Sequence, residues 1–218
     1  MRSATAVLLV AVLAVTAGCS GVSLSGDAVE LDAGETVVDE ATAQQAGYEL
    51  EEAGTEELNE TVEAGGREIR VVVRNHVAVY EKGGPGGTAA ASVGVVTMPD
   101  ASVARQNLNP LVRMNETQLL KQFAEQGDAA MEFEEVDNYT VQTLGGEADV
   151  TVYRAESEDN PDAYVHLLRD SPAETDDAVL AYAMYPVQAE QSERENVEEL
   201  MGSLEYTPAD ADGETESA

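Results

Sequence analysis

The stretch Glu68-Ile69-Arg70-Val71-Val72-Val73-Arg74-Asn75-His76-Val77-Ala78-Val79-Tyr80-Glu81 carries the fold of this chain. Ile69, Val71, Val73, Val77 and Val79 mostly share one side of an extended backbone, and Arg70, Arg74 and His76 share the other. A repeat of two with one apolar side is what a half-buried antiparallel strand needs. Gly65-Gly66 just upstream supplies a hairpin turn, so residues 61–64 and part of 48–58 pair back onto it. Downstream, the glycines and proline of residues 83–87 form a flexible connection, and residues 89–98 return as an apolar strand that stops at Pro99. Their density of valine and alanine predicts a central place in the sheet.

Further strands are expected over residues 132–143, 148–156, 163–169 and 177–185, joined at Gly145-Gly146, Asn160-Pro161 and Ser171-Pro172. Such a run reads as an antiparallel meander. Helical signals stand between and after these strands. Residues 37–47 form a short helix with Gly47 as its stop. Asn115 and Gln118 make a capping box for a helix that buries Leu119, Leu120 and Phe123 and ends at Gly127. Ser192 and Glu195 make another, and Val197, Leu200, Met201 and Leu204 follow at helical spacing. Helices and strands around one core give an α+β domain, with a curved antiparallel sheet covered by amphipathic helices.

The body of the chain is strongly acidic: 43 Asp and Glu against 11 Lys and Arg give a formal charge of −32, and Lys82 and Lys121 are its only lysines. Such a chain repels itself in dilute buffer. Molar salt shortens the Debye length to about 3 Å and removes most of that penalty, so the composition suits a salt-saturated medium. Hydrophobic residues make up 43% of the chain, and the valine-rich runs can build a core that a disordered acidic chain lacks. Nucleic acid is excluded as a partner by the same charge.

At the N-terminus, Arg2 precedes an apolar run that ends in Thr16-Ala17-Gly18-Cys19. The run is shorter than the roughly 20 residues a membrane-spanning helix needs, and its three zones read as a signal peptide over residues 1–18. Cys19 is the only cysteine and the expected lipidation site, which attaches the chain to the outer face of the cell membrane. Residues 19–36, rich in Ser, Gly and Asp, then read as a tether, residues 37–206 as a single domain, and residues 207–218 as a disordered acidic tail.

The Thr-Ala-Gly-Cys box and the lysine-poor acidic body are joined by several local stretches: Ala46-Gly47-Tyr48-Glu49-Leu50, Leu58-Asn59-Glu60-Thr61-Val62, Asn75-His76-Val77-Ala78-Val79-Tyr80-Glu81-Lys82, Asn109-Pro110 and Tyr185-Pro186. Together, over most of the mature chain, these resemble an uncharacterised haloarchaeal secreted lipoprotein family. The resemblance implies a source and a location and carries no activity to any residue. The order of elements, with its amphipathic C-terminal helix, resembles the PsbP/Mog1-type sandwich, which implies shape and no function.

Reactive constellations are scarce. His76 and His166 are the only histidines, and both fall inside expected strands. No zinc-protease, nucleophile-elbow or phosphate-loop motif is present, so the sequence assigns no catalytic residue, cofactor or metal ligand. Carboxylate pairs such as Glu134-Glu135, Asp176-Asp177 and Glu198-Glu199 arise by composition, and the clusters at 156–162 and 210–214 lack the spacing of a calcium loop. Arg70, Arg74 and His76 share a strand face and form a candidate anion site, weighed against cross-strand pairing with the abundant carboxylates. Asn59, Asn115 and Asn138 head sequons and are candidate glycosylation sites on an exported chain. The expectation is a non-enzymatic, lipid-anchored surface module that meets an envelope protein or a small ligand. A hydrolase using carboxylates near a histidine and a solute-binding lipoprotein with a tyrosine- and arginine-lined pocket are the alternatives.

Overall fold

Alternating valines set two long strands side by side. In the computed structural model, β4 (Glu49–Ala64) and β5 (Arg67–Gly83) pair antiparallel along their whole length. The other edge of β5 is shared between β2 (Ala28–Asp32), which takes Arg70 to Arg74, and β6 (Ala89–Pro99), which takes His76 to Gly83. The sheet continues through β12 (Asp177–Pro186), β11 (Ala163–Asp170), β10 (Gly146–Glu156) and β9 (Glu132–Thr143), and β1 (Gly21–Ser25) lies outside β2. A separate ribbon pairs β3 (Glu35–Val38) with β13 (Leu204–Thr207), and β7 (Ser102–Val103) pairs β8 (Gln106–Asn107). The helices are α1 (Glu40–Ala46), α2 (Pro110–Arg113), α3 (Glu116–Gln126) and α4 (Glu190–Gly202). The structure describes residues 21–209 apart from 26–27, 65–66, 85–88, 104–105, 108, 127–130, 158–160 and 174. Cys19 with the signal segment, the Gly65-Gly66 turn, Gly127, Asn160 and the tail beyond 209 therefore lie outside the described residues.

The central strands bury both faces. On β6, Ala91, Val93 and Val95 enter one apolar cluster while Met98 and Val96 enter another; on β12, Val179, Ala181, Ala183 and Tyr185 join the first, and Ala178 and Leu180 the second. Helix α4 contributes Val197, Leu200 and Met201 to the first cluster, and α3 contributes Leu119 and Leu120 to the second. The molecule is thus a strand-dominated mixed fold with a few helices. The edges differ from this interior. Seven glutamates stand among the 16 residues of β4, whose described side chains are almost all exposed, and charge on an open edge discourages pairing with other chains. The opposite edge, β9, is interrupted at Val136, which is skipped between Val152 opposite Asp137 and Tyr153 opposite Glu135, a bulge with the same consequence.

Several expectations change. The sheet is mixed, because β2 runs parallel to β5. Part of the expected tether, residues 19–36, is built into the fold: Leu31 is buried with Val71 and Val73 in a third small cluster, and Thr36 is fully buried. Val29 and Leu31 alternate as a strand requires, a signal masked by the Ser, Gly and Asp around them. Along β5, Val71 and Val73 are buried as expected, but farther on Ala78 and Tyr80 are buried and Val77 and Val79 only half-buried. The first half of the strand packs against Leu31 with its odd residues, and the second half meets the main core with its even ones. One apolar face read straight through 69–79 cannot describe a strand whose neighbours change.

Boundaries shift too. Helix α1 starts at Glu40 because Asp39 caps it through Thr42 N at 2.8 Å, so Val37 and Val38 belong to β3. The Asn115–Gln118 capping box is present in both directions, each hydrogen bond 2.9 Å long. The expected box at Ser192 is absent: α4 begins at Glu190 after a 3-10 turn over Val187–Ala189, and the Ser192 hydroxyl donates to the Ala189 carbonyl. Leu204 lies in β13 yet still joins the main core. The β9–β10 hairpin turns on Leu144 and Gly145, both with positive φ, one residue before the expected Gly145-Gly146. A two-residue turn of this hand needs positive φ at both positions. Leu144 accepts that strain, about 1 kcal/mol, while its side chain packs on the main core.

Candidate functional site

On the face that holds the main core, two polar groups interrupt it. The first surrounds His166, which is completely buried in β11. Its Nε2 lies 2.9 Å from the Tyr185 hydroxyl and its Nδ1 lies 2.8 Å from the Tyr139 hydroxyl. Tyr185 donates its proton to Glu190 at 2.6 Å, so its oxygen accepts from His166 Nε2–H. The Nδ1 lone pair then accepts from Tyr139, and the chain of bonds runs one way, from Tyr139 through His166 and Tyr185 to Glu190. Arg194 closes the far side. It pairs with Asp137 at 2.8 Å and Glu198 at 2.9 Å, approaches Glu190 at 3.5 Å, and lies 5.5 Å from the centre of the Tyr139 ring. Burial, reinforced by Arg194, lowers the His166 pKa to about 4, so the ring is neutral at ordinary pH. Burial likewise raises the phenols of Tyr139 and Tyr185, the latter helped by Glu190. Every ring nitrogen is occupied, and the imidazole is unavailable to a substrate.

The second polar group lies where the β3–β13 ribbon crosses the middle of β5, the end of β6 and the start of β12. Asp177 Oδ2 accepts from Gly34 N and from the Tyr206 hydroxyl, each at 2.7 Å. Gly34 is required there, since a Cβ would fall 2.5 Å from the Thr207 carbonyl and 2.6 Å from the Tyr206 ring. Burial raises the Asp177 pKa. His76 Nε2 approaches Glu35 at 3.4 Å, and the Tyr80 hydroxyl receives Val38 N at 3.0 Å.

Outside the ribbon, Val37, Val38, Ala43, Tyr48, Leu50 and Tyr80 line a concavity of about 620 Å³, with Glu40, Gln44, Glu49 and Glu205 around them. Leu50 is 52% exposed there, the most exposed of the large hydrophobic side chains among the described residues. Among the described residues no arginine or lysine lines it, and Lys82 Nζ lies 5.4 Å from the centre of the Tyr48 ring.

The expected site residues scatter. Arg74 sits among Glu30 at 3.1 Å, Asp32 at 2.9 Å and Glu57 at 3.3 Å, and two of these, Asp32 and Glu57, are its register partners on the flanking strands. This is the cross-strand pairing weighed against an anion site. Arg70 is exposed farther along β5, and His76 turns toward Glu35, so the three do not converge on one point. Asn59 on β4, Asn115 before α3 and Asn138 on β9 are all exposed. Asn115 spends its side-chain oxygen on the helix cap, and Asn59 Nδ2 donates to Glu57 at 3.0 Å. Glu134-Glu135 and Glu199 are exposed, whereas Asp177 of the pair Asp176-Asp177 is buried. Among the described residues no three His, Cys, Asp or Glu side chains are grouped to hold a metal. No described helix is long and apolar enough to cross a membrane. Tyr139, Tyr185 and the α4 pair of Glu190 and Arg194 are not legible as a group in the sequence because they come from three separate elements. The one available signal was His166 itself, a polar residue set inside Tyr164-Val165-His166-Leu167-Leu168.

Comparison with known proteins gives a family and little more. Residues 35–205 match the family described as a domain of unknown function, DUF6517, and the chain belongs to it. No curated protein matches the chain. Among solved structures it is similar to the solution structure of cyanobacterial PsbP (CyanoP) from Synechocystis sp. PCC 6803, at 13% identity and a TM-score of 0.38, over 85% of this chain and 98% of that one.

Proposed function

We propose that this DUF6517 protein is a non-enzymatic binding module of the cell surface, held to the membrane by lipid on Cys19 and adapted to high salt, and that its ligand is apolar with a positive charge. In this reading the domain is an α+β sandwich of the PsbP/Mog1 type. The observation that carries it is the concavity beside α1, whose exposed Leu50 and buried tyrosine rings form an apolar floor with Glu40, Glu49 and Glu205 at its margin. Pockets of several hundred Å³ with an apolar lining and a few oriented polar groups are the usual form of ligand sites. Three marginal carboxylates, with no arginine or lysine among the described lining residues, select for positive charge, and contact pairs survive molar salt better than long-range fields do.

The test titrates the mature chain in molar salt with a cationic amphipathic peptide and with its acidic counterpart. Binding of the first alone, weakened about tenfold by Glu205→Lys and by Leu50→Ser, is expected, a change of about 1.4 kcal/mol. Equal binding of both peptides, or no response to either substitution, removes the reading. Placement is tested separately: Cys19→Ser should release the chain from the membrane fraction and abolish its lipid mass. The hydrolase alternative keeps one supporting observation, His76 beside Glu35. Turnover of chromogenic esters or glycosides that is lost in His76→Gln would favour it.

A further inference from the structure

Three side chains on one face of the sheet, His76, Thr97 and Asp177, lie beneath the β3–β13 ribbon, and Thr36 of the ribbon faces them. His76 and Thr97 are register partners on β5 and β6, and Thr97 and Val179 are partners on β6 and β12. Residues directly opposite in a sheet point to the same side. That side is the main core, since Ala78, Val95 and Val179 belong to it. Asp177, two residues before Val179, faces the same way and ties the ribbon down through Gly34 and Tyr206. Thr36, the register partner of Tyr206 and two residues before the core residue Val38, faces it from above.

Thr36 Oγ1, His76 Nδ1, Thr97 Oγ1 and Asp177 Oδ1 are all buried, and none of them makes a hydrogen bond to another protein atom. Thr36 and Thr97 are 0% exposed and Asp177 is 1% exposed. Leaving such groups bare costs about 1–3 kcal/mol each, so four together call for a ligand.

We infer that Thr36, His76, Thr97 and Asp177 enclose a site for buried water, roughly one or two molecules, that joins the ribbon to the main sheet. The donor and acceptor count selects water. The two threonine hydroxyls offer protons. Asp177 Oδ1 accepts, and His76 Nδ1 accepts in the tautomer whose Nε2–H faces Glu35. Two donors and two acceptors match one tetrahedral water, which gives two bonds and receives two. An alkali cation would use the oxygens but leave the imidazole lone pair and the hydroxyl protons unserved.

Water magnetic relaxation dispersion on the full chain in molar salt measures long-lived internal waters directly. Thr97→Val should lower the count by roughly one, Thr97→Ser should preserve it, and Thr140→Val on an exposed strand should leave it unchanged. Thr36→Val, expected to act as Thr97→Val does, reports in its place if that variant does not fold. A crystal structure of the full chain should show density within hydrogen-bond reach of these four atoms. The inference is overturned by an unchanged count in both valine variants, by a rubidium or thallium peak at the site, or by direct contact between Asp177 and Thr97.

Discussion

The two histidines face the same core and are treated in opposite ways. His166 has both nitrogens satisfied by tyrosine hydroxyls, and the chain of bonds ends on carboxylates gathered around Arg194. His76 has one nitrogen toward the half-exposed Glu35 and the other buried without a hydrogen-bond partner in the protein. A network closed on itself acts as a lock: it fixes the register of β9, β11, β12 and the start of α4 and offers nothing to a ligand. An open one is held together by something that is not protein. Deep burial of a polar residue therefore does not by itself separate structure from function; what separates them is whether its valences are spent inside the chain.

The largest effect should break both groups together. The acidic β4 edge and the net charge of −32 are self-repelling when unscreened, and dilution from about 1 M to about 0.01 M salt lengthens the Debye length from about 3 to about 30 Å; on the proposed salt adaptation this is decisive. The mature chain should unfold on that transfer and lose its near-UV dichroism. A signal retained in dilute buffer would remove salt adaptation from the account.

Acid should separate the two groups. His166 titrates near 4 in the folded chain against about 6.5 when unfolded. The unfolded chain therefore gains a proton that the folded one refuses. Stability is unaffected above about pH 6.5, falls by about 1.4 kcal/mol per unit below it, and levels off below about pH 4 after losing about 3 kcal/mol. Denaturant midpoints measured across this range should show the fall in wild type, and His166→Gln should flatten it. Tyr185→Phe should cost about 2 kcal/mol at neutral pH, because it leaves both His166 Nε2–H and Glu190 without their partner. A neutral result there would mean that the closed network is not a lock.

What could be read from the sequence follows the range of each interaction. Asn115 and Gln118 are three residues apart and bond each other, so their box was legible as it stands. The spacing of Val197, Leu200 and Met201 likewise announced the buried side of α4. The parallel pairing of β2 with β5 was not legible, because it depends on a segment whose Ser, Gly and Asp composition imitates a linker. The exchange of buried face along β5 was hidden for a related reason: Val71–Val73 and Val77–Tyr80 are each apolar on both sides, and only the neighbouring strands decide which side is inside. Both polar groups unite residues from across the chain, such as Gly34 with Asp177 and Tyr139 with His166, and pairing at that distance leaves no mark in local spacing.

The smallest change tests the open group most sharply, because the two accounts of it differ in sign. If Thr97 Oγ1 is bare, Thr97→Val removes an unsatisfied hydroxyl at nearly constant volume, and the protein should gain about 1 kcal/mol. If the hydroxyl holds water shared with Asp177 and His76, the same substitution strips a bond from all three, and about 1 kcal/mol is lost. The structure favours the loss, since three further unpartnered atoms face the same space and the ribbon above them is tied to Asp177 by Gly34 and Tyr206. Chemical denaturation in molar salt should therefore show a lower midpoint for Thr97→Val than for wild type, with an unchanged slope. A higher midpoint would turn His76 into a second, dry structural histidine and erase the contrast with His166.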